Sequence, residues 1–216
     1  MSDELAGIWP LLALRITTPR LELAVPSTDD LLNLAQASRE IQPPDEIRFQ
    51  QAFLYESSPL RERQLLQHHW RALAHWQPHS WDLHLAVRVD GVAIGLQNMW
   101  AADFATVRTV ETGSWITRRH QGRGLGTEAR AAMLELAFAH LGALEARTSY
   151  IAGNTASAAV SRKLGYVDNG HRAVSREGIR VVEHTLALTR ESWQARQVPG
   201  IQIYEISPCL ELFGLD

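Results

Sequence analysis

Several features that would point to particular functions are scarce or missing in this 216-residue sequence. Cys209 is the single cysteine, so an intramolecular disulfide is impossible, and its position outside any Cys/His spacing argues against a zinc site. The nine histidines show no HExxH or similar spacing, and His68 and His69 are adjacent rather than one helical turn apart. The sequence therefore predicts a protein that binds no metal.

The sequence also lacks long apolar runs and an excess of basic charge. No apolar run approaches the length of a membrane span, and residues 1–15 carry acidic side chains rather than the basic start of a signal peptide. The formal net charge of −3 gives no reason to expect nucleic acid or an anionic membrane as the main partner. We therefore expect a cytoplasmic protein that binds neither.

No internal repeat, low-complexity tract or Gly/Ser linker divides the chain. We therefore predict a single domain over residues 1–193, which is long enough to bury a sizeable core. Residues 194–216 are a C-terminal extension with strand character around 198–206. Such a strand would either join the edge of a sheet or form an arm exchanged across a homodimer.

The pattern of apolar residues predicts a mixed order of strands and helices. Asp90-Gly91 separates two alternating apolar stretches, which predicts a β-hairpin over 83–100. A broad apolar band over 125–141 predicts a helix that is buried against a sheet. The order predicts an α/β or α+β fold, with a mixed sheet flanked by helices. The other predicted elements are a strand, turn and helix over 14–34, an irregular segment at 41–60, helices at 60–76 and 155–163, and strands at 107–117, 144–151, 166–174 and 179–188.

Residues 118–127, with the sequence RRHQGRGLGT, lie where a predicted strand gives way to the long helix. Glycines there allow a tight turn and bring backbone N–H groups close to a ligand. The start of the helix adds unpaired N–H groups and the positive end of its dipole. Arg118, Arg119 and Arg123 add local positive charge in an otherwise acidic protein. The segment predicts a site for a phosphorylated, anionic cofactor.

Dinucleotide binding is one interpretation of this turn. Residues 124–129, GLGTEA, formally match G-x-G-x-x-A, and Glu145 lies near the expected acidic position. In that fold the glycines follow the strand almost directly, whereas residues 118–121 intervene here, and the chain ends in an antiparallel pattern. These residues therefore leave a nicotinamide-dependent oxidoreductase as an alternative. A Walker-type phosphate loop is excluded because no Gly-Lys-Ser/Thr ends the run.

Three segments, in order and spacing, resemble the GCN5-related N-acetyltransferase (GNAT) superfamily, in particular its RimJ/RimL-like branch. Residues 121–126, QGRGLG, resemble the signature Q/R-x-x-G-x-G/A. Residues 154–157 and 161–166 resemble the N-x-x-S…K-L-G-F/Y segment, and residues 18–23 resemble the first strand. The resemblance covers about residues 14–190. It implies the GNAT fold, with a splayed and mainly antiparallel sheet, and transfer of an acyl group from acyl-CoA to an amine. We expect direct attack without a covalent enzyme intermediate, because no nucleophile–base pair is visible in the sequence and Cys209 lies outside the matched region.

The resemblance also implies which residues bind the cofactor. Backbone N–H groups of the glycine turn would bind the coenzyme A pyrophosphate, and the strand before the turn would pair with the pantetheine arm. Asn154 would contact that arm and also cap the helix that follows it. Carried over by position, the cofactor-binding residues are Ile116, Arg118, Gln121, Gly122, Arg123, Gly124, Gly126, Thr127, Asn154 and Ser157.

Two residues are candidates for the chemistry itself. Attack on a thioester needs a neutral amine, so a carboxylate that accepts the amine proton is useful. The resemblance assigns that role to Glu111, although a surface glutamate is the simpler explanation. Ser161 takes the place of a tyrosine found in many relatives and would donate a hydrogen bond to the departing sulfur, or it is merely a helix residue that faces the cofactor.

The resemblance leaves the substrates open. Acetyl-CoA is the default donor of the family, succinyl-CoA or another small acyl-CoA is an alternative, and a basic lining near Glu111 would favour a dicarboxylic acyl group. The acceptor would be a protein N-terminus, a lysine or a small-molecule amine, bound beside the segment 41–81. A coenzyme A sensor without turnover is a further alternative, and we expect a homodimer or a higher homo-oligomer.

Overall fold

The computed structural model describes residues 3–41, 52–194, 196 and 199–215. Besides the elements named next, the chain has short 3₁₀ turns and a π-helical turn at Leu136–His140, which extends α5. The helices are α1 Asp3–Ile8, α2 Thr28–Ala37, α3 Leu60–Ala74, α4 Phe104–Val107, α5 Leu125–Glu135, α6 Thr155–Leu164 and α7 Arg190–Gln194. The strands are β1 Arg15–Thr17, β2 Glu22–Ala24, β3 Ser80–Val89, β4 Val92–Ala102, β5 Thr109–Ile116, β6 Glu145–Ile151, β7 Val167–Arg176, β8 Ile179–Thr189 and β9 Gln202–Tyr204.

Local chemistry explains several of these boundaries. Asp90 and Gly91 both have positive φ, 49° and 78°, so the β3–β4 hairpin turns as predicted. Ser27 and Asp30 form a reciprocal capping box at the start of α2, which lies within the predicted strand, turn and helix over 14–34. The predicted strand at the start of the chain is wrong in one respect. It is broken into β1 and β2 by a turn in which the Thr18 N–H donates to the Leu21 carbonyl at 2.9 Å.

The nine strands form one mixed sheet in the order β7-β8-β6-β5-β4-β3-β2-β1-β9. Among the described residues, β5 and β6 are the parallel pair and the other neighbours are antiparallel. This confirms the predicted mixed sheet with helices on its faces. The described helices include none that is long and apolar enough to cross a membrane.

The parallel pair separates partway along its length. The β5–β6 ladder runs from Thr109 opposite Glu145 to Thr112 opposite Thr148, where its described pairing ends. Beyond that point β5 stays paired with β4 as far as Ile116, and β6 stays paired with β8 as far as Ile151. Because each strand follows its outer neighbour, the two diverge and leave backbone groups of both strands facing a gap.

Side chains on the two faces of the sheet enter two separate cores. Ile116 packs in the large core that contains α5, whereas its neighbour Trp115 packs in a smaller core with Leu34 of α2 and Leu65 of α3. This follows from the alternation of successive side chains along a strand. The helix α5 therefore lies on one face of β5, and α2 and α3 lie on the other.

The C-terminal segment returns to this chain's own sheet. In the described structure β9 pairs with β1, with Ile203 opposite Ile16. Phe213 is fully buried, and its ring centroid lies 5.4 Å from that of Trp76 and 4.9 Å from that of Trp81. The strand predicted in the extension therefore joins the edge of the sheet.

Candidate active site

A cavity of about 270 Å³ opens where β5 and β6 diverge. Residues 112–116 of β5 form one wall, and Ser149 and Tyr150 of β6 face them. The glycine turn, the first residues of α5 and one side of α6 complete the lining. The cavity therefore joins two unpaired strand edges to the start of a helix.

The glycine turn is shaped by its own backbone and by three side chains. Gly122 and Gly124 have φ of 73° and 80°, a region that glycine enters without strain, and Gly124 is the N-cap of α5. The side-chain amide of Gln121 donates to the Ile116 carbonyl at 2.7 Å and so fastens the turn to the end of β5. Arg20 donates to the Arg123 carbonyl at 2.9 Å and pairs with Glu128 at 2.5 Å. The first N–H groups of α5 are thereby held at the mouth of the cavity.

Most of the predicted cofactor-binding residues lie together in this cavity. Arg118 and Arg123 are the two exceptions, since both are exposed and do not line it. Asn154 accepts a hydrogen bond from the Ser157 N–H at 3.0 Å, which is the predicted N-cap of α6. The predicted residues that line the cavity are Ile116, Gln121, Gly122, Gly124, Gly126, Thr127, Asn154 and Ser157.

Ser161 lies behind the cavity rather than in its lining. It is fully buried, and its hydroxyl donates to the Ser157 carbonyl at 3.0 Å. Its oxygen also accepts from Arg130 at 3.4 Å. The single hydroxyl hydrogen is therefore already used, and it would have to rotate away from Ser157 to reach a ligand in the cavity.

Arg130 is a functional candidate that the sequence interpretation missed. It lines the cavity although it is only 3% exposed, and burial lowers the pKa of its guanidinium. It donates to Ser114 Oγ at 2.7 Å and to Thr148 Oγ1 at 3.1 Å, while its Nε–H has no acceptor. An arginine in the middle of the apolar band over 125–141 was the signal that could have found it.

Glu111 lies outside this cavity and faces a second one of about 670 Å³. The carboxylate is exposed, and Glu111 sits opposite Trp100 of β4 and Arg147 of β6 in the sheet. It directly precedes Thr112, where the described β5–β6 ladder ends. The second cavity is also lined by His68 and other residues of α3, so it lies on the face of the sheet away from α5. Glu111 therefore lies next to the point where β5 and β6 diverge, but on the face of the sheet opposite the first cavity.

Histidines meet beside this second cavity although their spacing shows no metal motif. Donor atoms of His68, Asp82 and His84 all lie within 4.8 Å of one another, and His84 Nε2 is 3.0 Å from Asp82 Oδ2. Burial, reinforced by His84, lowers the pKa of His68 and of His69 to about 4. Because α3 and β3 are separate elements, sequence spacing could not bring this group together.

The segment 41–81, predicted to border the acceptor, is described only in part. Residues 42–51 lie outside the described residues. Within the remainder, Ile41 lines the first cavity and α3 lines the second. The described part of the segment thus borders both cavities, one on each face of the sheet.

A cavity between two diverging strands that reaches the start of a helix is suited to an extended ligand with an anionic end. The family model described as "Acetyltransferase (GNAT) domain" matches residues 20–167. The chain therefore belongs to the GNAT acetyltransferase family, whose members are acyl-CoA-dependent N-acetyltransferases acting on amines. The predicted resemblance to this family is confirmed, and membership of its RimJ/RimL-like branch stays a prediction from the sequence.

Solved structures share the fold at low sequence identity. RimJ from Mycobacterium smegmatis, in complex with CoA-disulfide, is 18% identical with a TM-score of 0.66, over 85% of this chain and 88% of that one. A GCN5-related N-acetyltransferase from Brucella melitensis is 17% identical with a TM-score of 0.67, over 84% and 80%. The ribosomal-protein-S5-alanine acetyltransferase from Vibrio fischeri is 15% identical with a TM-score of 0.61, over 83% and 98%.

The dinucleotide-binding alternative does not fit the observed topology. That fold needs a largely parallel, doubly wound sheet, whereas the described strands contain one parallel pair, β5 and β6. The formal G-x-G-x-x-A match of residues 124–129 therefore reflects a glycine turn in a different architecture.

Proposed function

We propose that this protein transfers a small acyl group, acetyl or another such as succinyl, from acyl-CoA to a primary amine of a protein or small molecule. The observation that carries the proposal is the cavity between β5 and β6, which ends at the glycine turn and the start of α5. The amine nitrogen attacks the thioester carbonyl carbon directly. The C–N bond forms, the C–S bond breaks, and the thiolate leaves with the electron pair.

Acyl-CoA fits the cavity in one direction. Its pyrophosphate suits the backbone N–H groups around Gly122, Gly124 and Gly126, because a helix start favours anions. The unpaired edge of β5, from Gly113 to Ile116, suits the amide groups of the pantetheine arm. The thioester then lies toward Thr112 and Thr148, where the strands meet. The exposed Arg118 and Arg123 are proposed to attract the phosphate groups from outside the lining.

We propose Glu111 as the base that accepts the amine proton, directly or through water. Glu111 lies one residue before the end of the β5–β6 ladder and faces the second cavity, which can admit an acceptor from the α3 face. An amine is mostly protonated near neutral pH, so a nearby carboxylate favours its approach as well as its deprotonation. Ser161 remains a proposed donor to the departing sulfur, provided that its hydroxyl turns away from Ser157.

The first test is calorimetric titration of the protein with acetyl-CoA, succinyl-CoA, free CoA and NAD. We expect binding of the CoA compounds in the micromolar range. Gly124→Leu should weaken it by about tenfold or more, because φ of 80° is strained for leucine and a Cβ would come within 3.4 Å of Arg20. Gly91→Leu is the matched control, since Gly91 has φ of 78° and lies in the β3–β4 hairpin.

Two outcomes would contradict the proposal. Saturable binding of NAD without binding of CoA compounds would rule out an acyltransferase. Tight binding of acyl-CoA without acylation of protein N-termini, lysine peptides or small amines would instead favour a coenzyme A sensor without turnover.

A cytoplasmic location, a homo-oligomeric state and a domain boundary near residue 193 remain predictions from the sequence. Because β9 pairs with β1 of the same chain, an exchanged arm is not needed to cover the sheet edge. Light scattering during size-exclusion chromatography would measure the oligomeric state directly.

A further inference from the structure

Arg130 is a buried cation with no carboxylate beside it among the described residues. It is 3% exposed, and the described ion pairs do not include it. A buried charge is costly unless an opposite charge and hydrogen bonds compensate it. The neighbouring Tyr166 is itself buried, and burial raises the pKa of its phenol, so it supplies no negative charge near neutral pH. The described surroundings of Arg130 therefore provide no negative charge to balance its guanidinium.

The surroundings of Arg130 hold it in one orientation. Thr148 Oγ1 donates its hydrogen to the Thr112 carbonyl at 2.9 Å, and Ser161 Oγ donates to the Ser157 carbonyl. Both oxygens are left to accept from Arg130 Nη1, while Ser114 Oγ accepts from Nη2. Three of the five guanidinium N–H groups are thus bonded to neutral hydroxyls, and the Nε–H has no acceptor.

The position of Arg130 separates it from the proposed phosphate site. Arg130 lies five residues after Leu125, which corresponds to about 7.5 Å along the axis of α5. Its partners Ser114 and Thr148 belong to the two diverging strands, close to the end of their ladder at Thr112. The guanidinium therefore stands near the reacting end of the proposed donor, on the face of the sheet opposite Glu111.

We propose that Arg130, positioned by Ser114 and Thr148, binds a carboxylate at the far end of the acyl group. The preferred donor is then the coenzyme A thioester of a short dicarboxylic acid, of the succinyl class, rather than acetyl-CoA. A guanidinium pairs well with a carboxylate because their planar groups match in geometry and charge. The inference rests on the proposed acyl transfer and deepens it by naming the acyl class.

The test compares succinyl-CoA with butyryl-CoA, in which a methyl group replaces the carboxylate. Calorimetry without acceptor should show succinyl-CoA binding at least about tenfold tighter to the wild type, as a charge-assisted pair would give. In Arg130→Met the ratio of the two dissociation constants should fall to about one. Arg130→Lys should give an intermediate ratio, because lysine keeps the charge but lacks the planar fork.

Equal binding of the two thioesters by the wild type, or a ratio that persists in Arg130→Met, would overturn the assignment. Free CoA and thermal melting report whether the cleft of each variant is intact. If Arg130→Met does not fold, the wild-type ratio and its decrease in Ser114→Ala decide the question. Failure of every CoA compound to bind the wild type would instead refute the proposed function itself.

Discussion

Glu111 shows how the role of one residue depends on which face of a strand it occupies. On β5 it follows Val110, which is fully buried in the core with α5, and it precedes Thr112 at the end of the ladder. Its side chain faces the second cavity while the proposed donor occupies the first. A base placed there would meet an amine that approaches from the α3 face.

We predict that Glu111→Gln lowers kcat by about a hundredfold near pH 7, the lower end of what a general base usually contributes. The deficit should shrink as the pH rises toward the pKa of the amine, because the acceptor is then neutral without help. Initial rates between pH 6 and 10 measure this. The exposed Glu211→Gln is the matched control, and a deficit that does not change with pH would argue against a role as base.

The role of Arg130 depends on residues that are distant from it in the sequence. A single arginine within an apolar helix face is conspicuous in the sequence, yet its meaning depends on residues that lie far away in the chain. Ser114 and Thr148 are sixteen and eighteen residues from Arg130 and belong to two different strands. The hydroxyl cage around the guanidinium therefore exists only once β5, β6 and α5 are packed together.

The helix α3 combines a surface face with two histidines that point inward, the half-buried His68 and the buried His69. His69 is 3% exposed, and both His68 and His69 have ring contacts with His84 of β3. Asp82 and Arg71 are the other charged groups that act on His68, and burial is the main reason for the low pKa. Between about pH 4 and pH 6.5 these rings are therefore neutral in the folded protein but protonated in the unfolded chain.

We predict that the free energy of unfolding falls as the pH is lowered from about 6.5 toward 4. The pKa of His68 and His69 is about 4 in the folded state and about 6.5 when unfolded, so the unfolded state binds more protons in this window. Their full contribution is present above pH 6.5. Urea denaturation at pH 7 and pH 5 measures the loss, with a chelator present because His68, Asp82 and His84 could hold a cation.

His69→Gln should make this loss smaller, since glutamine does not titrate. The exposed His75→Gln, at the end of the same helix, should leave the pH dependence as in the wild type. The same pH dependence in His69→Gln and wild type would show that other groups control acid stability.

The C-terminal segment of the chain packs into the hydrophobic core beside Trp76 and Trp81. Phe213 is fully buried against Trp76 and Trp81, and Trp76 Nε1 donates to the Leu212 carbonyl at 2.8 Å. The GNAT family match ends at residue 167, so this closure is a feature of this chain beyond the matched region.

We predict that Phe213→Ala lowers the free energy of unfolding by about 3–5 kcal/mol, as is typical when a buried phenylalanine is truncated. Leu144→Ala is the control, because Leu144 is 54% exposed and should change stability by less than about 1 kcal/mol. Thermal and urea unfolding measure both variants. A small effect of Phe213→Ala would mean that the C-terminal segment is not part of the cooperative core.

Most of the helices and strands can be predicted from the sequence, because their signals lie within a few residues. Asp90-Gly91 dictates the β3–β4 hairpin, Asn154 caps α6, and the apolar band over 125–141 dictates a buried helix. The glycine turn at 121–126 also carried enough local pattern to indicate the family. Boundaries shifted where a local pattern was ambiguous, as at Thr18, where a turn splits the predicted first strand.

The point at which the strands diverge, and the side chains that meet there, depend on how the whole chain packs. The end of the β5–β6 ladder at Thr112 depends on how β5 follows β4 and β6 follows β8, which is a property of the whole sheet. It brings Arg130 into the lining of one cavity and Glu111 into the lining of the other. The physical reason is that hydrogen-bond capping and apolar periodicity act between near neighbours, whereas strand register and buried charge depend on residues brought together by packing.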